Sequence, residues 1–412
     1  MSDLLSVEVA RKRLLESFNT VGVENVPLTN AYGRVLAEDV VSLHDLPPFS
    51  NSSMDGFAVR VQDLAGASAQ NPVTLQVIAD IPAGTAPEVY LKAGEAARIM
   101  TGAFLPDGAE AVIPVEDTDF HSRDAGKPAP EVVQIFRSVQ VGYSVRPKGQ
   151  DLIAGEPVLS VGFRLRPQDT ALLAMLGVAR VKVYQKPRSA LLSTGDELIS
   201  VEEQLSPGKI YDSNGYMLTG LIERFGGEPV NLGIARDTAG DVETLLNRAV
   251  EERVDLIIST AGVSVGAYDY VRTVVENGGR LDFWRVNMRP GKPLAFGSYK
   301  GIPFIGLPGN PVSAFVGFQV FVRPALLKMG GVKDDIIRYQ KVELSESIES
   351  DGRETYIRAT VYTEDGRSLV KPVGHQGSGN LRALTLANAL LIIPSGVKSL
   401  AAGTRVNTWL FD

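Results

Sequence analysis

The stretch "VDLIISTAGVSVGAYDYV", residues 254–271, decides the fold. It opens with an apolar run, Val254 to Ile258, of the length and β-branched content of a buried strand, and continues through a loop of small residues toward a helix-like segment. Strand, small-residue loop, then helix is the grammar of an α/β sheet, which takes its ligands outside the carboxyl ends of its strands. In that loop Gly262 and Gly266 let the backbone approach a ligand, and Ser264 adds a hydroxyl at an expected helix N-terminus. Phosphate or another oxyanion suits such a site. Small-residue turns also follow strands where nothing binds, so the loop by itself leaves both readings open.

The same grammar extends in both directions. Upstream, "RSALLST" reads as a strand, and Tyr216 to Phe225 sets Leu218, Leu221, Ile222 and Phe225 on one helical face. "EPVNLGIAR" returns as a strand, and Asp241 to Val250 aligns Val242, Leu245, Leu246, Ala249 and Val250 on a second face. The alternation predicts a doubly wound, mostly parallel sheet. Downstream, "GKPLAFGSYKGIPFIGLPGNP" predicts a β-hairpin whose Pro-Gly-Asn-Pro turn feeds a helix from about Val312. Nearer the N-terminus, Leu5, Val7, Ala10, Leu14 and Leu15 have helical spacing, and residues 27–175 read as short β-like runs between Gly/Pro turns. Within that region "PQDTALLAMLG" predicts a short helix capped by Asp169 or Thr170, and β-like alternation resumes beyond Gly331. The fold class expected is α/β plus β: a sheet domain joined to several small β-rich domains.

With 412 residues and 24 prolines the chain is too long for one core and should divide into roughly three or four domains. A hydrophobic fraction of 44% with 22% charged residues is that of a soluble globular protein. The formal net charge of −7, without a Lys/Arg cluster, argues against nucleic acid as a partner. Cysteine is absent, which removes disulfides, thiolate catalysis and cysteine-ligated metal, and suits a reducing compartment. The first eighteen residues have no uninterrupted apolar core of a signal peptide, and the longest apolar stretch, Val312 to Val322, is too short for a membrane span. A cytoplasmic location is expected.

The predicted strand ends carry carboxylates: Asp196 and Glu197 in "STGDEL", Asp237 in "ARDTAG", Asp269 in "GAYDY". Carboxylates beside an oxyanion loop repel phosphate unless a hard cation such as Mg²⁺ intervenes, so phosphate with metal is the consistent pairing. Arg289 and Lys292 flank a Pro-Gly turn and could clamp an oxyanion by fork and point charge, although basic residues in turns are most often simply solvated. Pro308 and Pro311 bracket Gly309 and Asn310, pinning the chain before a helix with backbone N–H groups facing out. His44, His121 and His375 are too scattered for a triad or a histidine metal site, and a structural role for His375 outweighs a functional one. Asp55 in "PPFSNSSMDGFAVR" reads equally as an Asx-turn residue and as a site residue.

Seven segments in order, "PPFSNSSMDGFAVR", "RIMTGAFLPDGAEAVIPVED", "STGDEL", "YDSNGYML", "AGVSVGAYDYV", "MRPGKPLAFG" and "GLPGNPVSAFVGF", resemble the molybdenum insertase (molybdopterin molybdenumtransferase) family, to which the E domain of gephyrin belongs. The resemblance spans nearly the whole chain. It implies an enzyme that takes adenylylated molybdopterin and molybdate, inserts the metal into the dithiolene, cleaves the phosphoanhydride and releases AMP, with Mg²⁺ required. It also implies a homodimer of elongated four-domain subunits. The regions would be 1–26 with 178–330 (a discontinuous sheet domain), 27–46 with 147–177 (a linking and dimerisation domain), 47–146 (a β-rich domain contributing to the cleft) and 331–412 (a final β domain).

Asp55, Thr101, Asp151, Glu197, Asp237 and Asp269 match positions the family uses for activity or for metal and ligand binding, with Glu197, Asp237 and Asp269 as the expected Mg²⁺ ligands. Gly262, Ser264, Arg289, Lys292, Pro308, Asn310 and Pro311 match its substrate-binding segments, and Arg358 and Ser378 are similar to residues proposed to touch molybdate. Two positions depart from the pattern: Arg289 stands where lysine is frequent, and Ala261 replaces a glycine of "GGVSVG". A tungstate-inserting homologue and a non-catalytic scaffold of the gephyrin E type are the alternatives, and a molybdopterin adenylyltransferase is a possible partner.

Overall fold

The computed structural model describes residues 4–120, 126–261, 270–333 and 339–411, with the side chains of Phe283 and Trp284 left aside. The loop 262–269, which holds Gly262, Ser264 and Asp269, lies outside the described residues. The chain folds into two compact units, one of Met1–Glu38, Val161–Thr170 and Ala179–Asp412, the other of Asp39–Ser160 and Ala171–Val178.

In the first unit a six-stranded sheet runs in the order Glu228–Ala235, Arg188–Thr194, Leu256–Thr260, Ile302–Leu307, Pro293–Tyr299, Gly279–Arg285. The first four strands are parallel, Pro293–Tyr299 runs opposite to both of its neighbours, and Gly279–Arg285 at the edge again has the direction of the first four. Pro293–Tyr299 runs opposite because it forms the predicted hairpin with Ile302–Leu307, whose tight turn can only join antiparallel strands. Alternate residues of each strand serve opposite faces. Leu191, Leu256, Ile258, Ile305 and Leu307 pack with helix Ser213–Arg224, helix Val7–Leu15 and the helical stretch Pro311–Met329. Ala190, Leu192, Ile257 and Phe304 pack with helices Ala239–Glu251 and Tyr270–Gly278. With both faces covered, the inner parallel strands are nearly continuous buried runs, which is why they read so plainly in sequence, whereas the edge strand Glu228–Ala235 carries exposed Glu228 and Asn231.

From Arg188–Thr194 the chain passes first to one neighbour, Glu228–Ala235, and then to the other, Leu256–Thr260. The strand order reverses between them, and the crevice of a doubly wound sheet opens at such a switch point.

The stretch Pro311–Met329 runs as helix Pro311–Gly317, a π turn Phe318–Val322 and helix Arg323–Met329. The π turn lies just before Pro324, which has no N–H for the carbonyl four residues back. Continuing through Arg323 and Pro324, the helix is longer than the apolar run Val312 to Val322. By length and composition it could cross a membrane, but 89% of its apolar window is buried inside the protein. The same unit holds a barrel: strands Glu354–Glu364, Arg367–Pro372, Tyr339–Leu344, Arg405–Leu410 and Ala389–Ile393 pair in turn, and the last closes back on the first.

The second unit is built on a five-stranded sheet, Ala111–Pro114, Gly56–Val59, Glu95–Ile99, Val73–Ile81 and Val132–Ile135, with apolar clusters around Phe57 and Ile113 on one face and Ala58 and Ile99 on the other. The helix expected to be capped by Asp169 or Thr170 begins earlier, at Pro167. Asp169 lies in its first turn and reaches back to the Arg166 N–H at 2.8 Å. Proline favours the first helical position, and this moves the start forward.

Candidate functional site

At the switch point Thr194, Gly195, Glu197, Asp237, Val242, Ala261, Tyr270 and Val271 line a cavity of about 160 Å³. Two strand ends are latched across it. Asp237 donates its N–H to Asp196 Oδ1 at 3.1 Å, and Asp196 donates its N–H to Asp237 Oδ2 at 3.3 Å. The latch holds Asp237 and Glu197 beside one hollow. Gly195, two residues before Glu197, has φ +145°, a conformation that suits glycine, and a Cβ there would also stand 2.5 Å from a Glu197 carboxylate oxygen and push that carboxylate aside.

Helix Ser213–Arg224 begins at this edge because of its cap. Asp212 accepts the Gly215 N–H at 3.0 Å through one oxygen and the Ser193 hydroxyl at 2.7 Å through the other. The cap thereby anchors the helix to the end of strand Arg188–Thr194. Asn214, buried, donates Nδ2 to the Gly309 carbonyl at 2.7 Å and ties the "LPGNP" turn to the same helix. Neither Asp212 nor Asn214 stands out in the sequence as a site residue. The "DSN" triplet before an amphipathic face was the available signal, and it is an ordinary N-cap pattern.

Asn310 is the N-cap of the helix that starts at Pro311, and Pro308 is buried beneath the turn. One of the backbone donors expected to face out is already engaged: Val312 N–H donates to the Ser378 carbonyl at 3.0 Å. Ser378 thus belongs to this end of the sheet through its backbone. Its loop is held by Arg358, 1% exposed, whose guanidinium donates to the carbonyls of His375 at 3.0 Å and Gly377 at 3.1 Å. Burial pulls the Arg358 pKa below its usual value. His375 also receives Asn380 Nδ2 on its carbonyl at 3.0 Å and Gly377 N–H on Nδ1 at 3.3 Å, bonds that shape the loop.

In the basic turn, Lys292 is exposed and Arg289 faces Asp351 at 3.6 Å. Asp351 is held below the usual carboxylate range chiefly by the Arg353 guanidinium, so Arg289 shares an anion already paired.

The remaining predicted residues lie in the second unit. Asp55 Oδ1 accepts both the N–H and the hydroxyl of Thr101, each at 2.7 Å. Asp151 pairs with Arg146. The structure therefore joins Asp55 to Thr101, sets Glu197 and Asp237 on one cavity, and ties Ser378 to the helix that starts at Pro311 through the Val312 N–H, while Gly262, Ser264 and Asp269 lie outside the described residues.

Three family models match the chain in order: the MoeA N-terminal region (domains I and II) over residues 5–177, a probable molybdopterin binding domain over 190–328, and the MoeA C-terminal region (domain IV) over 341–411. The molybdopterin molybdenumtransferase of Nostoc sp. is 39% identical over 93% of this chain and 87% of its own. Molybdopterin molybdenumtransferase 2 of Mycobacterium tuberculosis is 38% identical over 98% of this chain and 99% of its own. The crystal structure of the molybdopterin biosynthesis MoeA protein of Pyrococcus horikoshii superposes with a TM-score of 0.82 at 34% identity, covering 99% of this chain and 100% of that one. A crevice at the switch point of the central sheet, a closed C-terminal barrel and full-length similarity to these proteins agree on one conclusion: the chain belongs to the MoeA family of molybdopterin molybdenumtransferases.

Proposed function

We propose that this protein is a molybdopterin molybdenumtransferase, which inserts molybdate into adenylylated molybdopterin, with cleavage of the phosphoanhydride and release of AMP. The observation that carries the reading is the latched pair of strand ends, which brings the carboxylates of Glu197 and Asp237 to one cavity in a chain similar over its full length to proteins of that name.

The donor set fits Mg²⁺. Glu197 and Asp237 offer hard oxygen atoms, and Mg²⁺ takes one or two carboxylates while keeping several waters and substrate phosphates. Among the described residues no group of three such side chains converges, and Asp269 is the proposed third ligand. When bound, the metal would neutralise charge on the phosphoanhydride and on departing AMP. The protein's own groups do the rest. Asn310, Gly262 and Ser264 orient the phosphate, Pro308 and Pro311 fix the turn that carries Asn310, and Lys292 with Arg289 holds the oxyanion. Arg358 and Ser378 form the wall from the barrel. The proposal includes a homodimer in which Asp55 and Thr101 of one subunit serve the sheet domain of the other, a role for Asp151 in activity, the four-region division of the chain, a cytoplasmic location, and supply of the substrate by a molybdopterin adenylyltransferase.

The test is a single-turnover reaction of purified protein with adenylylated molybdopterin, Mg²⁺ and either molybdate or tungstate, following AMP and bound metal. Oxyanion-dependent AMP release, reduced at least 100-fold in Asp237→Asn and in Glu197→Gln, is the expected result. Tungstate outperforming molybdate would reassign the metal. Tight binding of the nucleotide without any AMP release would replace the enzyme with a scaffold.

A further inference from the structure

One wall of the switch-point cavity is a phenol, that of Tyr270, the first residue of helix Tyr270–Gly278. Its ring is half-buried and packs against the apolar cluster of Val242, Val271 and Val275. Its hydroxyl has no hydrogen-bond partner among the described residues. That hydroxyl is not one of the fully buried polar atoms left without a partner, so it opens onto the space the residue lines. A tyrosine used only for packing has no need of the oxygen, because phenylalanine offers the same ring; an anchored ring with a free hydroxyl presents a polar tip from a rigid body.

The balance of donors and acceptors around the cavity gives that tip its meaning. Glu197 and Asp237, when ionised, can only accept, and neither forms an ion pair among the described residues. Other donors on the wall are engaged within the sheet. Gly195 donates its N–H to the Ala235 carbonyl at 3.3 Å, Ala261 donates its N–H to the Leu307 carbonyl at 3.0 Å, and the Thr194 hydroxyl donates to the Thr260 carbonyl at 3.4 Å. A phosphate group entering the cavity brings further acceptors. Among the side chains that line it, the Tyr270 hydroxyl is the donor left to meet them.

We infer that Tyr270 is a further substrate-contacting residue: its O–H donates to a phosphate oxygen on the AMP side of the phosphoanhydride and keeps its proton throughout. This rests on the function proposed above. The bond strengthens as negative charge gathers on the departing AMP, and a neutral donor supplies it without disturbing the cation that the two carboxylates would hold.

The variant is Tyr270→Phe in the full chain, which removes one oxygen and keeps the packing of the ring. It is measured for melting temperature, for Kd toward AMP with Mg²⁺ by titration calorimetry, and for single-turnover AMP release from adenylylated molybdopterin with molybdate. The expected result is an unaltered melting temperature, a raised Kd for AMP, and release slowed about tenfold or more, as for a lost hydrogen bond to a charged group. A change in either Kd or rate at an unaltered melting temperature upholds the contact. Wild-type Kd and wild-type rate in Tyr270→Phe, with release still slowed in Asp237→Asn, overturn this inference and leave the proposed function standing. A lowered melting temperature accompanying the slower release overturns it as well, by assigning the hydroxyl to folding. A wild-type protein that releases no AMP overturns the proposed function and this inference with it.

Discussion

The carboxylate of Asp55 and the residue Thr101, 46 positions later, share two hydrogen bonds of 2.7 Å, one from the backbone N–H and one from the hydroxyl. Both donors go to the same oxygen, so the pair sets the direction of the carboxylate. Thr101→Val keeps the N–H and loses the hydroxyl. The pair is partly solvated, so the stability loss should stay near 1 kcal/mol by urea midpoint. AMP release should fall about 100-fold, as for loss of an oriented group, and recover in Thr101→Ser. Full activity in Thr101→Val would remove the hydroxyl from the chemistry.

Ala261 has φ +71°, the left-handed region, at a position next to Gly309. An alanine there costs about 1–2 kcal/mol, whereas a glycine adopts it freely and loses about 0.5–1 kcal/mol to chain entropy. Ala261→Gly should therefore stabilise the protein by about 0.5–1 kcal/mol in urea unfolding. A loss of stability would mean that the methyl contact is worth more than the backbone strain.

Arg358 is desolvated, and its guanidinium holds the His375 and Gly377 carbonyls. Relief of that desolvation offsets the lost bonds, so Arg358→Met should change global stability by less than about 1 kcal/mol. The loop should loosen nonetheless. Because Val312 N–H donates to Ser378 of that loop, its exchange with deuterium should accelerate, and the KM for molybdate should rise. Arg358→Lys cannot span both carbonyls and should not restore either property. Unchanged protection at Val312 would separate the loop from the helix start.

Asp169 accepts Arg166 Nε at 2.9 Å, Nη2 at 3.0 Å and the backbone N–H. The guanidinium bond holds its carboxyl below the usual range, against the opposing pull of burial. A depressed carboxylate pKa contributes stability that is complete above the unfolded value of about 3.9 and is lost as pH falls through the lower folded value. Asp169→Asn should cost about 1 kcal/mol at pH 7, with the deficit shrinking toward pH 2. A deficit independent of pH would assign the effect to packing.

How much of this was written locally is clear from particular residues. The strand Leu256–Thr260 and the helices with Val242 and Leu246 or Leu218 and Ile222 on one face were legible, because burial on two sides or on one stripe imposes a run or a period that neighbours in sequence must carry. Glu197 and Asp237 were legible for the same reason, as carboxylates at the ends of such strands. What only the tertiary structure decided is which distant groups meet: Asp55 with Thr101, Asp196 with Asp237, Ser193 with Asp212, and Asn214 with Gly309 across 95 residues. The burial of Arg358 beneath the loop at His375 belongs with them. Each contact depends on strand order and on closing a long loop, and neither leaves a periodic mark on the residues concerned.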